Sequence, residues 1–317
     1  MKIAIIFLNT GGPNKASDVK PFLYNFFSDK NIITLNRPLR DLVKFLIVNL
    51  KWKNSVKNYS LMQYDGGSPL LQNTKNQVNA VQNLLEKMND GNEYKCFVGM
   101  RYWHPFISES MTKIIDYKPD KIIVFPLYPH YSFSTTKSAF EEVQKFVKNI
   151  KTHYISCFFA NEGFINAHLD IIKKHAKKEI CEGNTLIFIA HGIPLSYVKN
   201  GDPYYNQIQN SMMEIVYKLK KELKTEINYD LCFQSRVGKL EWLKPYAEDV
   251  LPNYKGKKVV LLPISFVSEH IETLVELDVE YSHIAKEFGV LEYKRLPTLS
   301  ENELFIDFIA KEIIKYV

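Results

Sequence analysis

The chain has 317 residues, 46% of them hydrophobic and 24% charged, an ordinary composition with enough apolar material for one large or two medium domains. Its net charge of +6 is spread along the chain; without a block of about five or six basic residues a nucleic-acid partner is excluded, whereas an anionic lipid surface or a carboxylate-bearing ligand is not. No apolar run reaches about 18 residues, so no segment reads as a membrane-spanning helix.

The chain opens with Met1-Lys2-Ile3-Ala4-Ile5-Ile6-Phe7, and Asn9, Gly11 and Pro13 follow at once. That run is too short for a signal peptide and reads as a first buried strand over 3–8. The segment 38–52 is helical in length, apolar nearly all round and basic at its edges. Two readings stand for it: a buried helix, or a greasy lip against a hydrophobic ligand or a membrane surface. A helical pattern follows at 71–88, then a strand at 121–125 that ends at Pro126. The second half carries a strand at 185–190, a helical pattern at 206–223 and a strand at 258–262 that ends at Pro263. In the final stretch, about 301–317, Leu304, Phe305, Phe308, Ile309, Ile313 and Ile314 recur at amphipathic spacing. The four cysteines, Cys96, Cys157, Cys181 and Cys232, form no Cys-x-x-Cys pair and suggest no disulfide ladder, as in a reducing compartment.

Strands alternating with helices predict parallel sheets covered by helices. The two halves also echo one another. One strand runs into Asn9-Thr10-Gly11-Gly12-Pro13 and another into His191-Gly192-Ile193-Pro194, and a later strand in each half ends at a proline, Pro126 or Pro263. Two similar α/β lobes explain the echo. Ligands of open α/β sheets sit beyond the carboxyl ends of the strands, so two facing lobes would line one cleft with these segments.

His191 directly follows the strand at 185–190, and Gly192 and Pro194 give it a tight exit. Such a histidine is either a satisfied structural residue or a group held rigidly at a ligand's edge. Further on, Glu272, Glu276 and Glu280 recur every four residues after Ser268-Glu269-His270-Ile271. Ser268 is the expected cap of that helix. The three carboxylates share a slowly drifting face of an α-helix and would line up better on a wider π-type turn. Like charges at this spacing repel, so the row is a solvated acidic face or a path for a divalent cation. Treated as an exposed pair, Glu276→Gln should leave stability equal or slightly higher.

Two segments resemble the characteristic stretches of ferrochelatases. One is Ala190-His191-Gly192-Ile193-Pro194 running on to Gly201-Asp202-Pro203-Tyr204; the other is Ser268-Glu269-His270-Ile271-Glu272-Thr273-Leu274-Val275-Glu276-Leu277-Asp278-Val279-Glu280-Tyr281. Further family-like stretches are Leu8-Asn9-Thr10-Gly11-Gly12-Pro13, Gly66-Gly67-Ser68-Pro69-Leu70 and Gly99-Met100-Arg101-Tyr102-Trp103-His104-Pro105. Tyr128-Pro129-His130-Tyr131-Ser132 and Gln234-Ser235-Arg236-Val237-Gly238, with Trp242-Leu243 after it, complete them. They stand in the family's order and cover nearly the whole chain.

The resemblance implies an α/β protein of two Rossmann-like lobes, each a parallel sheet flanked by helices, with a cleft between. The N-terminal lobe would hold 1–148 plus 300–317, with a porphyrin-contacting lip at 38–60; the C-terminal lobe would hold 149–299, with His191 and the acidic helix. It further implies a lyase that inserts Fe2+ into protoporphyrin IX with release of two protons, the terminal step of haem biosynthesis, aided by bending of the macrocycle. His191 and Glu272 would be catalytic, and His191, Glu272, Glu276 and Glu280 would contact the metal. Thr10, Lys51, Lys53, Ser68, Tyr128, Trp242 and Phe266 would contact the porphyrin. Lys51 and Lys53 would meet propionates as point charges, not as the forked donors that arginine supplies. Thr10, His130 and Met62-Gln63-Tyr64-Asp65 depart from the family's pattern. Which group delivers metal and which takes protons stays open.

Iron is a substrate on this reading, and without a cysteine-rich tail no iron–sulfur cluster or other cofactor is expected. The expected partners are porphyrin and ferrous iron, with peripheral membrane contact through the lip and no nucleic acid. The expected location is the cytoplasm. Three alternatives remain at this point: a coproporphyrin III ferrochelatase, a cobalt or nickel chelatase of a related tetrapyrrole, and a non-catalytic two-lobed metal or haem binder.

Overall fold

Strand β1 (Lys2–Asn9) is buried at every position after Lys2, as a parallel strand covered on both faces must be. The structure, a computed structural model, describes residues 1–62, 64–148, 150–238 and 240–317. Gln63, in the stretch before Gly66, and Asn149, at the expected lobe boundary, lie outside the described residues. Contacts divide the chain into two units, the first of residues 1–128, 132–157 and 306–317, the second of 129–131 and 158–305.

In the first unit β1 is followed by α1 (Val19–Ser28), α2 (Arg37–Ser60), α3 (Leu70–Lys87), β2 (Glu93–Met100), α4 (Ile107–Tyr117), β3 (Lys121–Pro126), α5 (Ser138–Val143) and β4 (Lys151–Tyr154). The sheet is parallel throughout, in the order β2-β1-β3-β4. Because β4 pairs with β3, residues 151–154 belong to this sheet and not to the segment after 148. Helix α2 extends eight residues beyond the apolar stretch at 38–52. It is not a buried helix: of its residues only Val48 and Tyr59 are buried, while Leu42 and Phe45 are each 56% exposed and Leu50 is 79% exposed.

The second unit contains α6 (Glu162–Cys181), β5 (Thr185–His191), α7 (Leu195–Lys199), α8 (Tyr204–Leu223), β6 (Tyr229–Gln234), α9 (Ala247–Val250), β7 (Lys258–Pro263), a π-helix (Glu272–Tyr281), α10 (Ser282–Glu287) and β8 (Glu292–Arg295); α11 (Glu303–Ile314) ends the chain's regular structure. Its sheet is again parallel, in the order β6-β5-β7-β8. Leu277 and Tyr281 of the π-helix and Ala285 of α10 pack on Ile187, Ile189, Cys232, Val259 and Leu261 of the sheet. Each large side chain buried there contributes about 1.5–3 kcal/mol, which anchors one side of the π-helix and leaves its acidic side free for other contacts.

The echo between the halves is structural. Leu127 N–H donates to the Leu8 carbonyl at 2.8 Å, and Ile264 N–H donates to the Ile189 carbonyl at 3.0 Å. Each donor follows the proline that ends its strand. Within its own sheet Leu8 therefore matches Ile189, and two residues on, Thr10 matches His191. Both sheets also share one strand order when read by sequence, second-first-third-fourth.

Candidate active site

The apolar run from Leu186 to Ala190 is wholly buried, and it delivers His191 to the carboxyl end of the second sheet's interior strand. There His191 pairs with Gln234, the last residue of β6. Gly192 is required next: a Cβ on it would stand 3.0 Å from the Gln234 carbonyl and 3.3 Å from the Trp242 ring. The chain therefore turns close against β6 and leaves the His191 ring facing outward.

His191 Nε2 lies 3.2 Å from Glu272 Oε1 at the first turn of the π-helix, with 34% and 30% of the two side chains exposed. His191 Nδ1 faces the Gly192 carbonyl. The other oxygen of Glu272, Oε2, is 3.0 Å from His270 Nε2, and His270 Nδ1 is 3.1 Å from the Ser268 carbonyl. One carboxylate thus bridges two imidazoles. Burial alone would strip the charge from His191, but the Glu272 carboxylate and the Gly192 carbonyl outweigh it and push the ring up to about 9. Burial likewise opposes the Glu272 charge, and the two histidines overcome it, holding that carboxyl well below the usual carboxylate range.

Glu276 lies one turn on and is held differently. Its oxygens accept from Gln234 Nε2 at 2.9 Å, Ser235 N–H at 2.7 Å, the Ser235 hydroxyl and the Tyr281 phenol at 3.1 Å. The Gln234 amide also donates to the Glu272 backbone carbonyl at 2.9 Å, so one side chain ties both turns of the π-helix to β6. Burial, aided by the Glu272 charge, raises the Glu276 carboxyl above its ordinary value. Glu280, at the far end, is exposed. On the opposite side Arg295 grips Asp278 at 2.6 Å and Glu269 at 2.8 Å, fixing the helix to β8.

Two aromatic rings flank the histidine: Trp242 and Phe266 each stand 6.4 Å from the His191 ring, centroid to centroid. Both are half-buried. The Trp242 indole N–H donates to the Val237 carbonyl at 3.0 Å, which sets the plane of that ring.

The second unit therefore brings together His191, Glu272, Trp242 and Phe266, with Glu276 beside them. The four expected metal contacts are not a closed cage; among the described residues no three of His, Cys, Asp and Glu gather at ligand spacing. The remaining expected residues belong to the first unit. There the Thr10 hydroxyl donates to the Tyr128 phenol at 3.3 Å, Ser68 N–H donates to the Pro13 carbonyl at 2.7 Å, and Lys51 and Lys53 are exposed on α2.

Ser268 is not the helix cap. It is buried, and the π-helix begins three residues later than that cap would start it, after Ile271. Thr273 orders the turn instead, accepting His270 N–H at 3.0 Å. Nor is Glu276 part of an exposed repelling pair, since four donors surround it. His270, Gln234, Ser235 and Tyr204 were given no role in the sequence reading. His270 stands two residues before Glu272, a signal available in the sequence; Gln234 reaches the site only because β6 pairs with β5.

The family model described as Ferrochelatase matches residues 2–316. A ferrochelatase of Rickettsia bellii (strain OSU 85-389) is 39% identical over 320 residues, covering 100% of this chain and 87% of the relative. A ferrochelatase of Wolbachia sp. subsp. Drosophila simulans (strain wRi) is 42% identical over 317 residues, covering 98% of each. Among solved structures, SirB from Bacillus subtilis with Fe3+ superposes with a TM-score of 0.57 at 11% identity, over 99% of this chain and 95% of that one. CbiX, described as the terminal enzyme for biosynthesis of sirohaem in denitrifying bacteria, gives 0.57 at 11% identity over 100% of both chains. At such low identity these two establish the fold alone.

Proposed function

The chain belongs to the ferrochelatase family, and we propose that it inserts Fe2+ into protoporphyrin IX at the His191–Glu272 pair, releasing the two pyrrole protons. The observation that carries this reading is one half-buried carboxylate bridging two imidazoles at the carboxyl edge of a parallel sheet, with aromatic rings beside it.

A free-base porphyrin loses two N–H protons as metal enters, and imidazole is the side chain suited to take them near neutral pH. In the paired state His191 already carries a proton. An approaching dication disfavours that proton by Coulomb repulsion. That proton passes to solvent, and the freed imidazole then takes the two pyrrole protons one at a time, handing the first to solvent before it accepts the second, while Glu272 holds the imidazolium formed each time. An imidazole and a carboxylate with open positions suit ferrous iron that must be passed on. Glu276 and Glu280 extend the acidic path outward, a reading supported by the exposure of Glu280 at the far end of the row. Trp242 and Phe266 supply flat apolar surface for the macrocycle. The assignments of Thr10, Lys51, Lys53, Ser68 and Tyr128 to porphyrin rest on the resemblance. Iron enters as substrate, and no resident cofactor is assigned.

Among the described residues no helix is long and apolar enough to cross a membrane. The reading is of a cytoplasmic chain that touches lipid peripherally through α2, supported by that helix's exposed Leu39, Leu42, Phe45, Leu46 and Leu50. Anaerobic metallation assays with Fe2+ and protoporphyrin IX, run beside coproporphyrin III, test the function. Turnover of protoporphyrin IX is expected. Faster turnover of coproporphyrin III would change the substrate, and binding without turnover of either would make the chain a non-catalytic binder.

A further inference from the structure

The Gly201-Asp202-Pro203-Tyr204 stretch has no part in the chemistry above, yet it ends at the active histidine. Gly201 sits at φ +90°, a left-handed turn that glycine takes without strain. Asp202 is buried and its carboxylate accepts Tyr204 N–H at 3.0 Å, which fixes the start of α8. Tyr204, only 6% exposed, then donates its phenol O–H to the His191 carbonyl at 2.9 Å. His191 N–H donates to Ser265 Oγ at 3.0 Å.

These two contacts clamp the His191 backbone, its N–H on Ser265 and its carbonyl on Tyr204. The clamp stands where a strand partner is missing. On the β6 side His191 still pairs with Gln234, but on the β7 side the ladder stops at Ile189 and Pro263. Two side chains therefore take over from β7 at the residue that bears the active imidazole.

We propose that Tyr204 is a positioning residue for metal insertion. With Ser265 it locks the His191 backbone and so sets where the imidazole stands relative to Glu272. The proposal rests on the role given to His191 above. A misplacement of about 1 Å at a reacting group can cost about a hundredfold in rate, so a looser backbone here acts on turnover and not on substrate affinity.

Tyr204→Phe tests it, because it keeps the ring that packs edge-on to His130 at 5.9 Å and removes only the hydroxyl. The expected result is kcat lowered about tenfold with KM for porphyrin and Fe2+ within about twofold, and a near-native melting temperature. In protein labelled with 15N-histidine the ring signals of His191 broaden or double. Ser265→Ala, which frees the His191 N–H, also lowers kcat with KM unchanged. Tyr205→Phe, one residue on, serves as the control with unchanged kinetics. Unchanged kcat in Tyr204→Phe or unaltered His191 signals overturn the proposal. A wild-type protein that does not metallate counts against the ferrochelatase reading instead, and leaves the labelled-histidine comparison to judge the clamp.

Discussion

His191 Nε2 lies 3.2 Å from Glu272 Oε1, while its Nδ1 faces the Gly192 carbonyl. Both ring nitrogens meet oxygens that can only accept, so the ring satisfies both contacts as an imidazolium. Iron must then compete with a proton for this ring. With the ring pushed up to about 9, kcat/KM for Fe2+ is expected to rise with pH from about 6.5 towards 9. In Glu272→Gln burial acts on His191 without its counter-charge, the dependence moves to lower pH, and turnover falls about a hundredfold or more. Anaerobic initial rates at limiting Fe2+ check both. A flat wild-type profile over that range would remove His191 from the metal step.

Glu276→Gln is expected to destabilise the protein, by about 1–3 kcal/mol. Four donors converge on the carboxylate, and an amide turns one acceptor atom into an NH2 facing a donor. Denaturant titration measures the change. An equal or higher midpoint would restore the view of this row as an exposed, self-repelling face.

His130 and His168 give the protein an acid limit. Burial pushes each down to about 3, and both nitrogens of His168 lack a hydrogen-bond partner among the described residues. The folded state binds their protons less readily than the unfolded state, whose histidines titrate near 6.5. Stability is full above about 6.5 and is lost as pH falls towards 3, with each histidine costing about 2 kcal/mol at pH 5. His191, raised, is protonated in both states below 6.5, and Glu272, lowered, stays ionised in both above its ordinary 4.5, so neither changes stability between pH 5 and 6.5. Melting temperatures at pH 7 and pH 5 should differ markedly, and His168→Leu should reduce that difference by about half. An undiminished difference in His168→Leu rules out its protonation as the cause.

Leu42, Phe45 and Leu46 share one exposed face of α2. Replacing all three with serine should abolish sedimentation with anionic lipid vesicles and leave the melting temperature unchanged, because none of the three lies in the core. Retained vesicle binding would mean that lipid contact, if any, lies elsewhere.

Much of this was readable in advance where the signal is local. The apolar runs at 3–8, 121–125, 185–190 and 258–262 became β1, β3, β5 and β7 with ends moved by at most a residue, because a strand buried on both faces needs an unbroken apolar run. The place of His191 past such a run, and the spacing of Glu272, Glu276 and Glu280, were equally plain. The family could be recognised from motifs in order.

Partners could not be read the same way. Ser268 carries the residue type of a cap, yet it is buried and Thr273 does that work. Glu276 carries the pattern of a repelling neighbour, yet Gln234 at the end of β6 and Ser235 just after it come to it across about forty residues of sequence. His130 stood out only as a departure, and the fold buries it against Ser211 at 2.9 Å. Periodicity records which way a side chain points along its own element. Hydrogen bonds and charge depend on which other elements lie alongside, and that follows from the strand orders β2-β1-β3-β4 and β6-β5-β7-β8, which bring residues distant in the chain within about 3 Å of one another.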